Sequence, residues 1–205
     1  MEPDPDQVYP VREDTRLLLE AALDEVEPRD RVLDLGTGSG YIAHRLVGKA
    51  ALVVATDVNP HACRMATSRG VGVARADLTA GLRGQFDLVL FNPPYLPTKP
   101  GERMDDWLEK ALDGGESGRD VIVRLLPDLS RVLAPGGRLL LVLSELTGER
   151  EVLDLFRDGG FTAEICRRTR IEGEALMVLK AWRVPEGYPA GKKPPRQGPA
   201  AGFTD

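Results

Sequence analysis

Apolar residues come along this chain in short bursts divided by glycine, proline and acidic residues, and the bursts are of two kinds. Phe86 followed by Leu88-Val89-Leu90-Phe91 is a run without polar alternation, the pattern of a strand covered on both faces. Val32-Leu33 with Leu35, and Leu52-Val53-Val54-Ala55, read the same way, and Val71-Gly72-Val73-Ala74 is a shorter strand between them and Phe86. Helical spacing separates these strands. Leu17, Leu18, Leu19, Ala22, Leu23 and Val26 follow the acidic start Glu13-Asp14-Thr15, which complements a helix dipole, and Pro28 with Asp30 closes the run. Residues 41–47 and 59–69 are the next two helices, the second opened by Asn59-Pro60.

Farther on, residues 120–133 place Val121, Ile122, Leu125, Leu126, Leu129 and Leu133 on related faces of a helix. Pro135-Gly136-Gly137 turns that helix into a strand over 138–143, and residues 149–157 are helical up to Gly159-Gly160. Strands near 162–167 and 175–182 finish the chain as a hairpin-like pair around Glu172-Gly173. Strand and helix in alternation predict an α/β fold with a parallel, doubly wound sheet. Residues 96–119 carry Pro97, Pro100, Gly101, Gly114, Gly115 and Gly118 without a period, so they read as a long loop with one helical turn near Trp107-Leu108. The polar residues 1–7 are expected to be flexible, residues 8–184 to form one domain, and the Pro, Gly, Lys and Ala-rich residues 185–205 to be disordered.

At 205 residues and 42% hydrophobic content, the chain suits one globular unit, and no repeat is present. A net charge of -5 argues against a broad basic surface for nucleic acid, although Arg167-Arg168 and Arg170 form a local basic cluster. Cys63 and Cys166 are isolated, without the spacing of a metal site, and no apolar stretch is long enough to span a membrane, so a reduced, cytoplasmic setting is expected.

Chemistry gathers at strand ends. The strand through Phe91 delivers Asn92-Pro93-Pro94-Tyr95; Pro93 stops the ladder and biases Asn92 toward extended geometry. The Asn92 side chain and the Pro93 carbonyl then offer acceptors that can grip both N–H groups of an NH2 and turn its lone pair toward an electrophile, with Tyr95 placed to stack on a flat target. A strand followed by an ordinary proline turn is the plain alternative. Gly36-Thr37-Gly38-Ser39-Gly40 lacks the spacing that brings a pyrophosphate to a helix start, and Asp34 before it would repel a phosphate. A ligand with a cationic end fits better, and S-adenosylmethionine has one. Asp57, at the end of the next strand, is placed for ribose hydroxyls, and Asp77 with Leu78 for the adenine amino group, unless each acid is only a cap or a solvated turn. His44 and His61 have no partner constellation and read as structural, Trp107 either shapes the loop or packs under it, and Glu116-Ser117-Gly118-Arg119-Asp120 is either a peptide-binding loop or a solvated helix start.

These segments, from Val8-Tyr9 and Glu13-Asp14-Thr15 through Leu33-Asp34-Leu35-Gly36-Thr37-Gly38-Ser39-Gly40, Thr56-Asp57-Val58-Asn59-Pro60, Asp77-Leu78, Phe91-Asn92-Pro93-Pro94-Tyr95 and Gly115-Glu116-Ser117-Gly118-Arg119-Asp120, together resemble the short HemK-type protein glutamine methyltransferases of archaea and eukaryotes over roughly residues 8–182. The resemblance implies a Rossmann-like class I methyltransferase fold: a mostly parallel seven-stranded sheet with one antiparallel strand and helices on both faces. It implies that Thr15, Asp34, Gly36, Gly38, Gly40, Asp57, Asp77, Leu78 and Asn92 bind S-adenosylmethionine. Asn92, Pro93, Pro94 and Tyr95 would hold a glutamine, that of the Gly-Gly-Gln motif in class I release factors, for direct methyl transfer. Pro10-Val11-Arg12 departs from the family's Glu-Pro-Ala. A small zinc-binding activator subunit would pair at the edge formed by residues 71–74, no metal is expected in the chain itself, and an amino-group methyltransferase acting on adenine in RNA or DNA is the alternative that shares Asn-Pro-Pro-Tyr. A non-catalytic cofactor-binding module is a third reading, against which Asn92, Pro93 and Tyr95 argue.

Overall fold

A computed structural model describes residues 2–99, 101, 106–171 and 173–183. The expected tail lies outside these residues, as do Pro100 and Glu172. Seven strands form one sheet: β1 (Arg31–Leu35), β2 (Leu52–Asp57), β3 (Gly72–Arg75), β4 (Phe86–Phe91), β5 (Leu133–Ser144), β6 (Phe161–Ile171) and β7 (Glu174–Arg183). Their order is β3-β2-β1-β4-β5-β7-β6, and β7 alone runs antiparallel to its neighbours. This is the doubly wound, Rossmann-like sheet expected from the sequence.

The unalternated strands are covered on both sides. Leu33, Leu35, Val89, Phe91, Leu139 and Leu141 point to one face, where they meet α5 (Asp120–Val132) and α6 (Glu149–Asp158). Val32, Leu88, Leu90, Leu140 and Val142 point to the other, against α1 (Glu13–Glu25) and α2 (Tyr41–Leu46), and α3 (Pro60–Ser68) joins that side through Ala66. Each leucine so buried contributes about 2 kcal/mol. A short helix, α4 (Trp107–Lys110), stands in the long loop where a helical turn is expected.

Three local features depart from the sequence reading. Residues 2–7 are tied down: Asp4 caps a 3-10 turn at Pro5–Gln7, and the Gln7 carbonyl accepts from Asn59 Nδ2 at 2.7 Å, joining the segment to α3. Pro135-Gly136-Gly137 does not precede β5 but lies within it. Phe86 pairs with Leu133 and Leu88 with Arg138, so the intervening residues bulge outward and the helix ends one residue sooner, at Val132. β6 and β7 are longer than expected and pair from Phe161 and Arg183 to Ile171 and Glu174. At the amino-terminal end of the sheet Arg138 donates to Asp30 at 2.7 Å and to the Asp87 carbonyl at 2.9 Å, and also bonds Glu25. Glu25 is shared with Lys180.

Candidate functional site

In this order the chain reverses its winding between β1 and β4, and ligands of open parallel sheets bind outside the carboxyl ends of the strands at such a switch point. A cavity of about 390 Å³ opens there. Its wall includes Thr15, Asp34, Gly36, Gly38, Asp57, Asp77, Leu78 and all four residues of Asn92-Pro93-Pro94-Tyr95. Gly40 is absent from it.

The glycine turn divides into two jobs. Gly36 and Gly38 hold φ of +60° and +56°, which a side chain would strain, and space around Gly38 is open where a Cβ would project. Gly40 serves packing instead: a Cβ there would lie 2.7 Å from Cα of Ala66, so its bareness lets α2 begin against α3. Spacing alone does not separate these roles.

Asp34 is buried at 2% exposure, and Thr37 Oγ1 donates to it at 2.6 Å. Burial pushes its carboxyl up to about 7, against the pull of the Thr37 hydrogen bond, and no salt bridge reaches it among the described residues. An acid buried in this way at a cavity wall fits a cationic ligand group. Asp57 is gripped at both oxygens by backbone, Asn59 N–H at 2.8 Å and Gly38 N–H at 2.9 Å, and burial raises its pKa as well. Asp77 is occupied differently from the expectation: Arg124, from α5, pairs with it at 2.5 Å, so the guanidinium stands beside the place assigned to an adenine amino group. Leu78 takes φ of +50°, an uncommon conformation for a branched side chain, and its carbonyl accepts from Thr56 Oγ1 at 3.2 Å.

The other half of the cavity is organised by a residue to which the sequence reading assigns no site role. Asp14, which reads as a dipole-complementing acid at the start of α1, is 1% exposed and accepts from Asn92 Nδ2 at 3.1 Å, Tyr9 hydroxyl at 3.0 Å and Tyr95 hydroxyl at 3.2 Å. Burial first, and then the adjacent Asp14, raises both tyrosine pKa values far above the ordinary range. With its NH2 so engaged, Asn92 leaves Oδ1 buried and without a partner. Orphaned buried acceptors are uncommon, and this one belongs to a residue that lines the cavity.

Tyr95 is fixed from behind by the glycine loop. Leu96 N–H donates to the Leu112 carbonyl at 3.1 Å, Gly114 N–H to Leu96 at 2.9 Å and Thr98 N–H to Gly115 at 2.9 Å. A Cβ on Gly118, which holds φ of +70°, would sit 2.5 Å from the Tyr95 carbonyl. Gly118 thus buttresses the motif, while Glu116 and Asp120 are exposed and Asp120 opens α5, so the segment is the solvated helix start of the two sequence alternatives. Trp107 lines the cavity, with Lys110 Nζ 4.7 Å from its ring centre and its backbone N–H on Gln7 Oε1. His44 and His61 are structural: one ring bonds the Arg69 carbonyl and the other accepts from Asp4 N–H.

Known proteins share this chain's sequence and fold. The family described as "Methyltransferase small domain" matches residues 11–109. A Methanocaldococcus jannaschii protein named for protein N5-glutamine methyltransferase activity is 38% identical over 185 residues, which is 87% of this chain and 93% of the relative. Mouse methyltransferase HEMK2 is 36% identical over 84% of this chain and 88% of its own length. Among solved structures, the Mtq2–Trm112 complex of E. cuniculi, responsible for methylation of the eRF1 translation termination factor, matches with a TM-score of 0.73 and 32% identity, covering 87% of this chain and 99% of that one. With a cavity at the switch point, an unpartnered amide oxygen at the end of β4 and relatives matched over nearly their full length, the chain belongs to the HemK-type protein glutamine N5-methyltransferases.

Proposed function

We propose that the chain methylates the side-chain amide nitrogen of a protein glutamine, that of the Gly-Gly-Gln motif in a class I release factor, with S-adenosylmethionine as methyl donor. The observation that carries this reading is the unpartnered Oδ1 of Asn92, an acceptor set at the end of β4 beside the Pro93 backbone. An amide nitrogen is a poor nucleophile because its lone pair is delocalised; acceptors on both of its N–H groups orient it and draw density toward nitrogen. Asn92 Oδ1 and the Pro93 carbonyl are those acceptors, and the Tyr95 ring packs against the amide plane. As the nitrogen gains the methyl group, whose bond to sulfur would break with the electron pair left on sulfur as a neutral thioether, it sheds one proton to solvent, and the same acceptors stabilise the charge that develops on N–H.

S-adenosylmethionine supplies, when bound, an electrophilic methyl group on sulfur. The residues present suit it. Asp34 answers the cationic amino group, the Gly36–Gly38 backbone gives close approach, Asp57 takes the ribose hydroxyls, and Leu78 with Asp77 and Arg124 borders the adenine. Relatives named for glutamine methylation support the reaction, and the net charge of -5 lowers the nucleic-acid alternative. The compartment is the cytoplasm, where translation terminates.

A small activator subunit at the β3 edge is the partner we infer. β3 is four residues long and largely exposed, with no strand beside its outer edge among the described residues, and the exposed Leu52 and Val58 stand at either end of neighbouring β2. The solved relative is itself a complex with Trm112.

The test is methyl-labelled S-adenosylmethionine given to the purified protein, with its candidate activator, in a native cell extract. Label mapped by mass spectrometry to a Gly-Gly-Gln glutamine supports the reading, and label in RNA or DNA replaces it with base methylation. Asn92→Ala should lower turnover about 100-fold or more while the cofactor dissociation constant stays within about threefold; turnover near that of the unaltered protein would refute the role of Asn92.

A further inference from the structure

An asparagine side chain ends in an oxygen and an NH2 of almost equal size, and the end that faces a cavity is decided by what the other end meets. In this protein the other end meets Asp14. Oδ2 of Asp14 accepts from Asn92 Nδ2 and from the hydroxyls of Tyr9 and Tyr95, and Oδ1 accepts from the Thr15 N–H and from Thr15 Oγ1 at 3.1 Å. Every partner donates, so both oxygens serve wholly as acceptors. A donor turned toward Asp14 leaves an acceptor turned away, which is the unpartnered Asn92 Oδ1. The Tyr9 hydroxyl follows the same rule, its single proton going to Asp14, and the Tyr95 hydroxyl lies within reach of both Asp14 and Tyr9.

We propose that Asp14 is a positioning residue that sets the orientation of the Asn92 amide and the two tyrosine hydroxyls, and thereby makes the site selective for a target that brings N–H donors. A glutamine amide brings two. A glutamate carboxylate in the same place brings none and faces acceptors alone, with the cost of an unpaired buried polar group. The inference rests on the reading of Asn92 as the grip on the target nitrogen, and it adds the residue that decides which atom of Asn92 does the gripping. Nothing local in the sequence announces it, because Asp14 meets Asn92 and Tyr95 across 78 and 81 positions.

The decisive experiment exchanges the two groups in the full-length protein. Asp14→Asn cannot satisfy its surroundings in either orientation, since one puts an NH2 against the donors of Asn92, Tyr9 and Tyr95 and the other an NH2 against the Thr15 N–H. It should lower kcat on the release factor about 100-fold, with S-adenosylmethionine affinity by calorimetry within about threefold. Asn92→Asp alone places two carboxylates together and should fail as badly. When the two substitutions are combined, the amide now on α1 donates to one oxygen of the carboxylate now at the end of β4, whose other oxygen takes the place of the unpartnered Oδ1. The double variant should therefore recover turnover about tenfold over Asn92→Asp. A residue needed only for stability would give no such rescue.

A second readout needs no turnover. The Asn92 side-chain NH2 signal in a proton–nitrogen spectrum, identified by its loss in Asn92→Asp, should shift in Asp14→Asn. A release factor with Glu in place of the target Gln should compete poorly with the normal substrate in the unaltered protein and better in Asp14→Asn. An unmoved Asn92 signal, or a double variant no more active than Asn92→Asp, overturns the proposal. Should the unaltered protein label no glutamine at all, the substrate reading falls, and the spectrum alone decides for or against Asp14.

Discussion

Asp34 makes cofactor binding a reporter of pH. Its carboxyl is buried with no salt bridge among the described residues, and burial pushes its pKa up from 3.8 to about 7. A carboxyl raised on folding holds its proton more tightly in the native state, so its contribution to stability is whole below about 3.8 and is lost as pH climbs through about 7. The full displacement corresponds to about 4 kcal/mol at high pH. A ligand with a cationic group selects the ionised form, which is about one part in ten at pH 6 and about nine in ten at pH 8. S-adenosylmethionine affinity should therefore rise about tenfold from pH 6 to pH 8, and binding at pH 6 should release close to one proton, read by calorimetry in buffers of different ionisation enthalpy. Asp34→Asn keeps an acceptor for Thr37 and removes the buried charge, so at pH 8 the ligand-free variant should melt several degrees above the unaltered protein, by as much as about 4 kcal/mol, and should lose its affinity for the cofactor. The advantage in melting should vanish near pH 4. Affinity that is flat from pH 6 to pH 8 with no proton released would refute this reasoning.

Other substitutions probe other parts of the scaffold. Asp57→Ala removes the acceptor held by Asn59 and Gly38 N–H and should weaken cofactor binding about tenfold or more by calorimetry, while unchanged affinity would count against its contact with the ribose. Gly40→Ala places a methyl 2.7 Å from Ala66 Cα at φ of +77°, so it should cost about 2 kcal/mol in a denaturant titration; a midpoint that does not move would show that α2 and α3 can part freely. Arg138→Met leaves Asp30 buried without its cation and should destabilise by about 3 kcal/mol, which equal melting temperatures would disprove.

The central strands are legible in the sequence because both of their faces are covered, which turns each into an apolar run. β6 reads too short for the opposite reason: at the sheet edge Arg168 and Arg170 project to solvent, so charge falls where a buried strand has none. The bulge in β5 is hidden because Pro135-Gly136-Gly137 has the composition of a turn, and only the pairing of Phe86 with Leu133 shows that the strand has already begun. In the site, acids at strand ends can be found from their place after an apolar run. Asp14 cannot, since its place at a helix start already has a sufficient local explanation and its partners arrive from far along the chain. Arg124 reads as one polar position of an amphipathic helix, and nothing in that period indicates that it reaches Asp77.

The ladder between residues 96–98 and 112–115 pins both ends of the intervening stretch to one another, immediately behind Tyr95. A stretch closed in this way can change length or composition with little penalty, because closure entropy grows only slowly with the number of residues enclosed. Substitutions between those clamps are therefore expected to leave the shape of the strand end that carries Asn92 unchanged. The shape of the strand end thus rests on bonds outside the enclosed stretch.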